Sequence, residues 1–414
     1  MGIKKAHTKK TIITITMLAV FIIAGGCCAI YYYTTQLALS LKGSASETVG
    51  RYSVYEDKGA KARLHGKDAS DKVKVKGSVD TSKPGDYTIE YTMANLSVKR
   101  TVKVMNKMNP AINLTGLGTV EMVLGDKYEE PGYEAIDEKG KSITDKVEIS
   151  GADFKKAGEQ KVIYTVSDNK GNTTRVSRSV NIAPNTDYAS PGVPVCMYHY
   201  VYDENNPPDD LNQRFGNYIS MQDLEEELNW LNEEGYYYPT WKELRDYVDG
   251  KQLLPEKSII ISFDDGAMSF LQNGIPVLEK CKVPATCFMI TSSNGESKIA
   301  EHKSKYVTYQ SHTHNMHRPG GHIGHGGIFT AISNEEGLAD LKESIRICGT
   351  SDALAYPYGD YNDSSIKMVK DAGFLCAVTT QPGKAYPGDD PLLLPRVRMV
   401  MGQSLATFKD DVRP

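Results

Sequence analysis

Two adjacent carboxylates, Asp264 and Asp265, end the apolar run Ile259-Ile260-Ile261-Ser262-Phe263 and are followed by Gly266. Ser258 to Phe263 has the length and β-branched content of a strand covered on both faces. Paired acids at such an end are costly to desolvate, and the carboxyl ends of strands are where α/β sheets and barrels do chemistry. A solvated Asp-Asp-Gly turn is the plainer alternative. The histidines bear on the choice. Five of the nine fall between residues 312 and 325: His312, His314, His317, His322 and His325. They follow Lys305-Tyr306-Val307-Thr308, a short candidate strand. Imidazoles and a carboxylate form a set of borderline-hard ligands with positions left open. A divalent ion held there polarises a carbonyl and acidifies a water, and the second carboxylate is then free to act as a base. That division gives each acid its own task. A solvated His-rich loop is the competing reading of the histidines.

The elements around these residues alternate strand and helix from Val193 onward. Pro194 to Met197 reads as a strand ending at Tyr198-His199. Ser220 to Glu234 reads as a helix, with Leu224, Leu228 and Leu231 on one face and Ser220 as its cap. Trp241 to Tyr247, Ser269 to Cys281 and Asp363 to Ala372 read as further helices, and another opens at Ser333. Ala285 to Ile290, Leu375 to Thr379 and Leu394 to Met399 read as strands. The alternation predicts an α/β sheet or barrel.

The preceding part has another texture. Lys4, Lys5, Lys9 and Lys10 precede an uncharged stretch, 11–33, long enough for one bilayer crossing. The basic flank and Tyr31-Tyr32-Tyr33 predict a transmembrane helix with a cytoplasmic N-terminus and the rest of the chain outside. A cleaved signal peptide, or a lipoprotein at Cys27, is the alternative. Residues 34–52 read as a Ser/Thr/Gly-rich stalk. Two similar blocks follow, 53–107 and 108–183. Asp71-Lys72-Val73 with Pro84-Gly85-Asp86-Tyr87 in the first matches Asp145-Lys146-Val147 with Ala157-Gly158-Glu159-Gln160 in the second. Period-2 strands between turn residues predict two small all-β sandwiches. The second block resembles the immunoglobulin-like modules of bacterial surface proteins. A spacer role, or contact with the cell wall, is expected of both. Residues 184–192 form a Pro-containing linker. A formal net charge of -4 gives no electrostatic case for a nucleic-acid partner. The cysteines show no CxxC spacing, which excludes a zinc ribbon or thioredoxin motif.

Residues 193–414 resemble the polysaccharide deacetylase family, also called NodB-homology or carbohydrate esterase family 4 domains. The family's first motif stands as Ser262-Phe263-Asp264-Asp265-Gly266, its second as Ser311-His312-Thr313-His314-Asn315-Met316-His317, and its third as Ala355-Tyr356-Pro357-Tyr358-Gly359. The His312 to His317 spacing resembles the branch acting on poly-N-acetylglucosamine. The resemblance implies an irregular (β/α) barrel and one divalent ion, usually Zn2+, with Co2+, Ni2+ or Fe2+ as substitutes. It implies Asp264 as general base, Asp265, His312 and His317 as metal ligands, and Tyr358 with Pro357 at the oxyanion. His314 stays an alternative to His317, because on an extended segment His312 and His314 share a face.

Two departures stand out. The arginine that often precedes the third motif's Pro-Tyr is absent, and Arg396 or Arg398 is expected to orient Asp264 instead. The family's C-terminal histidine is also missing; His199, or a histidine of the 314–325 loop, is its candidate replacement, and His199 is also a candidate substrate contact. The resulting expectation is a membrane-anchored extracellular enzyme removing N-acetyl groups from N-acetylglucosamine in a wall or surface polysaccharide. The alternatives are an O-acetyl esterase of xylan type and a catalytically weak glycan-binding protein. The glycine-rich loop 319–327 is expected to be mobile and to fold over a sugar chain.

Overall fold

The computed structural model of the chain describes residues 17–23, 27–33, 37–64, 67–169 and 171–414. The stretch expected as a transmembrane helix, 11–33, lies partly outside these residues. Its described parts are two strands instead, Met17–Ile23 and Cys27–Tyr33, paired antiparallel from Met17↔Tyr33 to Ile23↔Cys27. Ile, Val, Phe and Tyr favour strands. Among the described residues no helix is long and apolar enough to cross a membrane.

The expected stalk is also corrected. Leu37–Leu41 and Ser46–Arg51 are strands. The first pairs with Ala60–Leu64, and its Leu39 and Leu41 pack against Ile89 and Tyr91. The Leu37/Leu39/Leu41 alternation is a one-faced strand signal, which the surrounding Ser and Thr obscure. Ser46–Arg51 runs parallel to Leu96–Met108, which pairs in turn with Gly85–Met93. The block expected to follow repeats these features. Thr119–Val123 runs parallel to Thr173–Ala183, and Glu148–Ser150 pairs with Gly158–Ser167. Short 3-10 turns recur at Ser70–Lys72 and Thr144–Lys146. Each block also buries one arginine under backbone carbonyls. Arg100 donates to the carbonyls of Lys42, Ser44 and Gly59, and Arg178 to those of Thr115, Leu117 and Gly132. Pairing a buried guanidinium this way avoids the large cost of an unsatisfied charge.

The C-terminal part is a closed barrel of parallel strands. In chain order these are β1 (Val195–Tyr198), β2 (Ile260–Phe263), β3 (Ala285–Met289), β4 (Val307–Ser311), β5 (Ala353–Ala355), β6 (Cys376–Pro382) and β7 (Leu394–Arg398). The order around the barrel follows the chain, and β1 closes it by pairing with β7. Alternate residues face opposite ways, as a strand requires. Val195, Ile260, Phe288, Ala355, Val378 and Leu394 join one apolar cluster. Cys196, Ile261, Phe263 and Cys287 join another, with Leu224, Leu228 and Leu231 of α1 (Met221–Glu233) and Leu278 of α3 (Ile275–Cys281). Between those helices, α2 (Trp241–Val248) starts with a capping box in which Thr240 and Glu243 satisfy each other's backbone N–H. Two helices have no counterpart in the sequence reading, α4 (Gly295–Glu301) and a C-terminal one, Leu405–Val412.

One buried acid in this layer makes stability depend on pH. Glu227 of α1 accepts a hydrogen bond from the Tyr198 hydroxyl at 2.6 Å, and burial pushes its carboxyl up to about 8. An unfolded glutamate titrates near ~4.3. Between these values the folded chain holds a proton that the unfolded chain has released, so stability falls as pH rises through that window. Glu227→Gln is expected to raise the melting temperature at pH 8 and to leave it nearly unchanged at pH 4. Thermal unfolding at the two pH values checks this.

Candidate active site

Asp264 and Asp265 follow β2 directly, and the backbone turns sharply there. Asp265 has φ 70 and Gly266 φ 60. A Cβ on Gly266 would lie 2.3 Å from Met289 Sδ, so only glycine fits this turn against β3. The turn sends the two carboxylates different ways. Asp264 is buried and forms a bidentate pair with Arg396 of β7, at 2.8 and 2.7 Å. Arg396 also donates to the Thr379 carbonyl at 2.8 Å, which fixes its plane. Burial alone would raise the Asp264 carboxyl, but the guanidinium outweighs it and holds the carboxyl below its ordinary value. Of the two arginines expected to orient this acid, Arg396 does so. Arg398 donates instead to Asn217 Oδ1 at 2.6 Å.

Asp265 faces the histidines. Its Oδ1 lies 3.5 Å from His312 Nε2 and 3.6 Å from His317 Nε2. Its Oδ2 accepts from the Tyr200 hydroxyl at 2.8 Å, and Arg214 donates to that same hydroxyl at 2.9 Å. His312 is buried, and its Nδ1 lies 2.8 Å from the Ala355 carbonyl of β5. A carbonyl only accepts, so Nδ1 carries the proton and Nε2 is the free donor. Burial and the neighbouring His312 push His317 down to about 4, so it is neutral at pH 7, as a ligand must be. Donor atoms of Asp265, His312 and His317 all lie within 4.8 Å of one another. Two ligands sharing a tetrahedral ion with bonds of ~2.1 Å stand roughly 3.4 Å apart. The observed separations from Asp265 match that spacing, so the three residues fit one divalent ion.

His314 is turned away. Its Nδ1 is 3.0 Å from Thr291 Oγ1. The shared face argued for His312 and His314 assumes extended backbone, whereas Thr313 has φ 67 and breaks the alternation. Asp340, on α5 (Asn334–Cys348), accepts the N–H groups of His314 and Asn315 at 2.7 and 2.8 Å. It thereby pins the segment between the two ligand histidines. Asp340→Ala is expected to weaken zinc binding ~10–100-fold, the range for partners that orient ligands. Titration of the stripped protein against a fluorescent zinc chelator measures it.

The remaining expected site residues divide. His199 lines the same cavity, of about 410 Å³, with Asp264, Asp265 and both ligand histidines. Burial lowers its pKa, and its Nδ1 is buried without a hydrogen-bond partner. Tyr358 also lines the cavity; its ring lies 4.3 Å from that of His317 and its φ is 60. Pro357 is buried under this turn. Tyr200, Asp340 and Asp360 have no forewarning in the sequence reading, because each acts through one hydroxyl or carboxylate on groups far away in the chain. The loop 319–327, expected to be mobile, is bound at several points. Gly320 and Gly321 donate to the Gly326 carbonyl, and Asp360 accepts from His325 and Gly327.

Two family models match the chain. The polysaccharide deacetylase model matches residues 251–377, and the model of the bacterial surface protein Ig-like domain matches 39–104 and 112–182. A poly-beta-1,6-N-acetyl-D-glucosamine N-deacetylase of Staphylococcus epidermidis is 30% identical over 196 residues, covering 43% of this chain and 67% of the relative. The chain belongs to the polysaccharide deacetylase family. The corresponding Staphylococcus aureus protein is 28% identical over the same length, again covering 43% and 67%. Among solved structures, the Streptococcus pyogenes deacetylase PplD aligns with a TM-score of 0.48 at 22% identity, covering 55% of this chain and all of that one. The family generally works with a metal, and Asp265, His312 and His317 form a candidate site for one.

Proposed function

We propose that the protein is a metal-dependent hydrolase that removes N-acetyl groups from N-acetylglucosamine units of a wall or extracellular polysaccharide. The observation that carries this reading is the pairing of a base, Asp264, clamped by Arg396, with an adjacent three-residue donor set in one open cavity. The names of the staphylococcal relatives support the substrate class. Two imidazoles and a carboxylate favour zinc among available ions. When bound, the ion polarises the amide carbonyl and makes water a better nucleophile. Asp264 takes the proton of the attacking water, and Arg396 keeps that carboxylate ionised and aimed. Asp265 is held by Tyr200 so that Oδ1 faces the histidines. The backbone N–H at Tyr358 is assigned to the developing oxyanion, where a fixed donor contributes most.

The location of the chain belongs to the same proposal. The lysines of residues 1–10 and the uncharged stretch 11–33 support attachment to the cell membrane with the catalytic part outside, and the Ig-like modules suit a spacer that also meets the wall. The test of the substrate is acetate release by the full chain from N-acetylglucosamine oligomers and, in parallel, from O-acetylated xylan. Release from the amide is expected. Release from the ester alone would replace this reading with that of an esterase.

A further inference from the structure

The two arginines of β7 stand two residues apart in Leu394-Pro395-Arg396-Val397-Arg398, so they face the same side of the strand. Val397 between them packs against the apolar cluster that includes Leu224, Leu228 and Leu231 of α1, which leaves both arginines on the inner side of the barrel. Arg396 is buried, and its charge is matched by Asp264. Arg398 closes the strand. It is exposed and lines the cavity that also holds Asp265, His312 and His317. Only its Nη2 is bonded to the protein, donating to Asn217 Oδ1 at 2.6 Å and to the Gly216 carbonyl at 3.4 Å. Both acceptors are neutral, so they aim the guanidinium without matching its charge, and the N–H groups of Nε and Nη1 stay open. The loop that supplies them is itself tied down. Its Arg214 pairs with Asp210 at 3.1 Å and donates to the Tyr200 hydroxyl at 2.9 Å. Among the described residues no carboxylate pairs with Arg398.

We propose that Arg398 determines specificity by pairing with an acidic group, a carboxylate or a phosphate, on the glycan whose N-acetyl group is removed. This rests on the deacetylase reading. A guanidinium holds several N–H groups in one plane and matches the paired oxygens of such an anion, with charge added to each hydrogen bond. A neutral sugar hydroxyl has no need of a cation, and an amide side chain would serve it as well. The anchoring by Asn217 holds the long side chain in place before substrate arrives, which lowers the entropy lost on binding. A filled metal site would also draw an anion into the cavity. Removal of Arg398 separates the two sources of attraction.

The test compares acetate release by the full chain from three oligomers of equal length. One is neutral N-acetylglucosamine, one alternates N-acetylglucosamine with glucuronic acid, and one carries phosphate on the 6-hydroxyls. The expected result is a kcat/KM at least about tenfold higher on one or both acidic oligomers than on the neutral one, the scale of a charge-assisted hydrogen bond. Which acidic oligomer gains tells carboxylate from phosphate. The difference should lie in KM and shrink as salt is raised from 50 to 500 mM. In Arg398→Gln the ratio of acidic to neutral kcat/KM is expected to fall to about one, and Arg398→Lys should recover part of it. Equal kcat/KM on all three oligomers in the unaltered chain, or a preference that survives in Arg398→Gln, would overturn the assignment. No release from any of the three by the unaltered chain would overturn the deacetylase reading itself, and the role of Arg398 with it.

Discussion

Asp264→Asn is expected to cut acetate release from N-acetylglucosamine oligomers by ~10²–10⁴-fold, the usual contribution of a positioned general base. Asparagine keeps the shape of the side chain and one oxygen for Arg396, but offers no carboxylate to take a proton from water. Asp265, His312 and His317 are untouched, so metal content should stay at the level of the unaltered protein. That combination separates loss of the base from loss of the ion. If the variant kept its metal and its rate, Asp264 would be no more than a buried partner for Arg396.

Arg396→Met is expected to act on both stability and rate. Asp264 and Arg396 are 3% and 1% exposed, so removing the cation leaves a buried carboxylate with no opposite charge. Breaking a buried pair this way costs about 3–5 kcal/mol, visible as a lower melting temperature. The pH dependence has a definite sign. In the unaltered protein the Asp264 carboxyl is held down, so its contribution to stability is present above the unfolded value of ~3.9 and is lost as pH falls through the lower folded value. Without Arg396, burial acts with less opposition and the carboxyl moves up. The acid limb of the rate profile should then shift to higher pH. Arg396→Lys restores a charge but not the two-point fork and should fall between the two. A pH profile that stays in place in Arg396→Met, with an unchanged melting temperature, would remove this arginine from the account.

Much of the site is legible in the sequence because its signals are local. A β-branched run stopped by Asp264-Asp265-Gly266 marks a strand end, and the resemblance of residues 311–317 to a family motif brings His312 and His317 to it. What escapes is set by the tertiary fold. Arg396 stands 132 residues from Asp264, and only closure of the barrel between β7 and β1 puts them together. The choice between His314 and His317 turns on the backbone at Thr313, a β-branched residue in a left-handed conformation that no alternation rule anticipates. Asp340 and Asp360 read as ordinary helix and turn acids; each orders a loop by accepting backbone N–H groups, which leaves no trace in residue spacing. The strands at 37–51 escape for a compositional reason, since Ser44, Ser46 and Thr48 suggest a linker while Leu37, Leu39 and Leu41 form a core face.

The measurement closest to the central claim uses the full chain stripped of metal by a chelator and then given zinc in known ratio. Acetate release from N-acetylglucosamine oligomers is followed alongside, in the unaltered protein and in His312→Ala. The account predicts no release without metal, recovery that saturates at one zinc per chain, and no recovery in the variant. Undiminished release from the metal-free protein, or full recovery in His312→Ala, would contradict it.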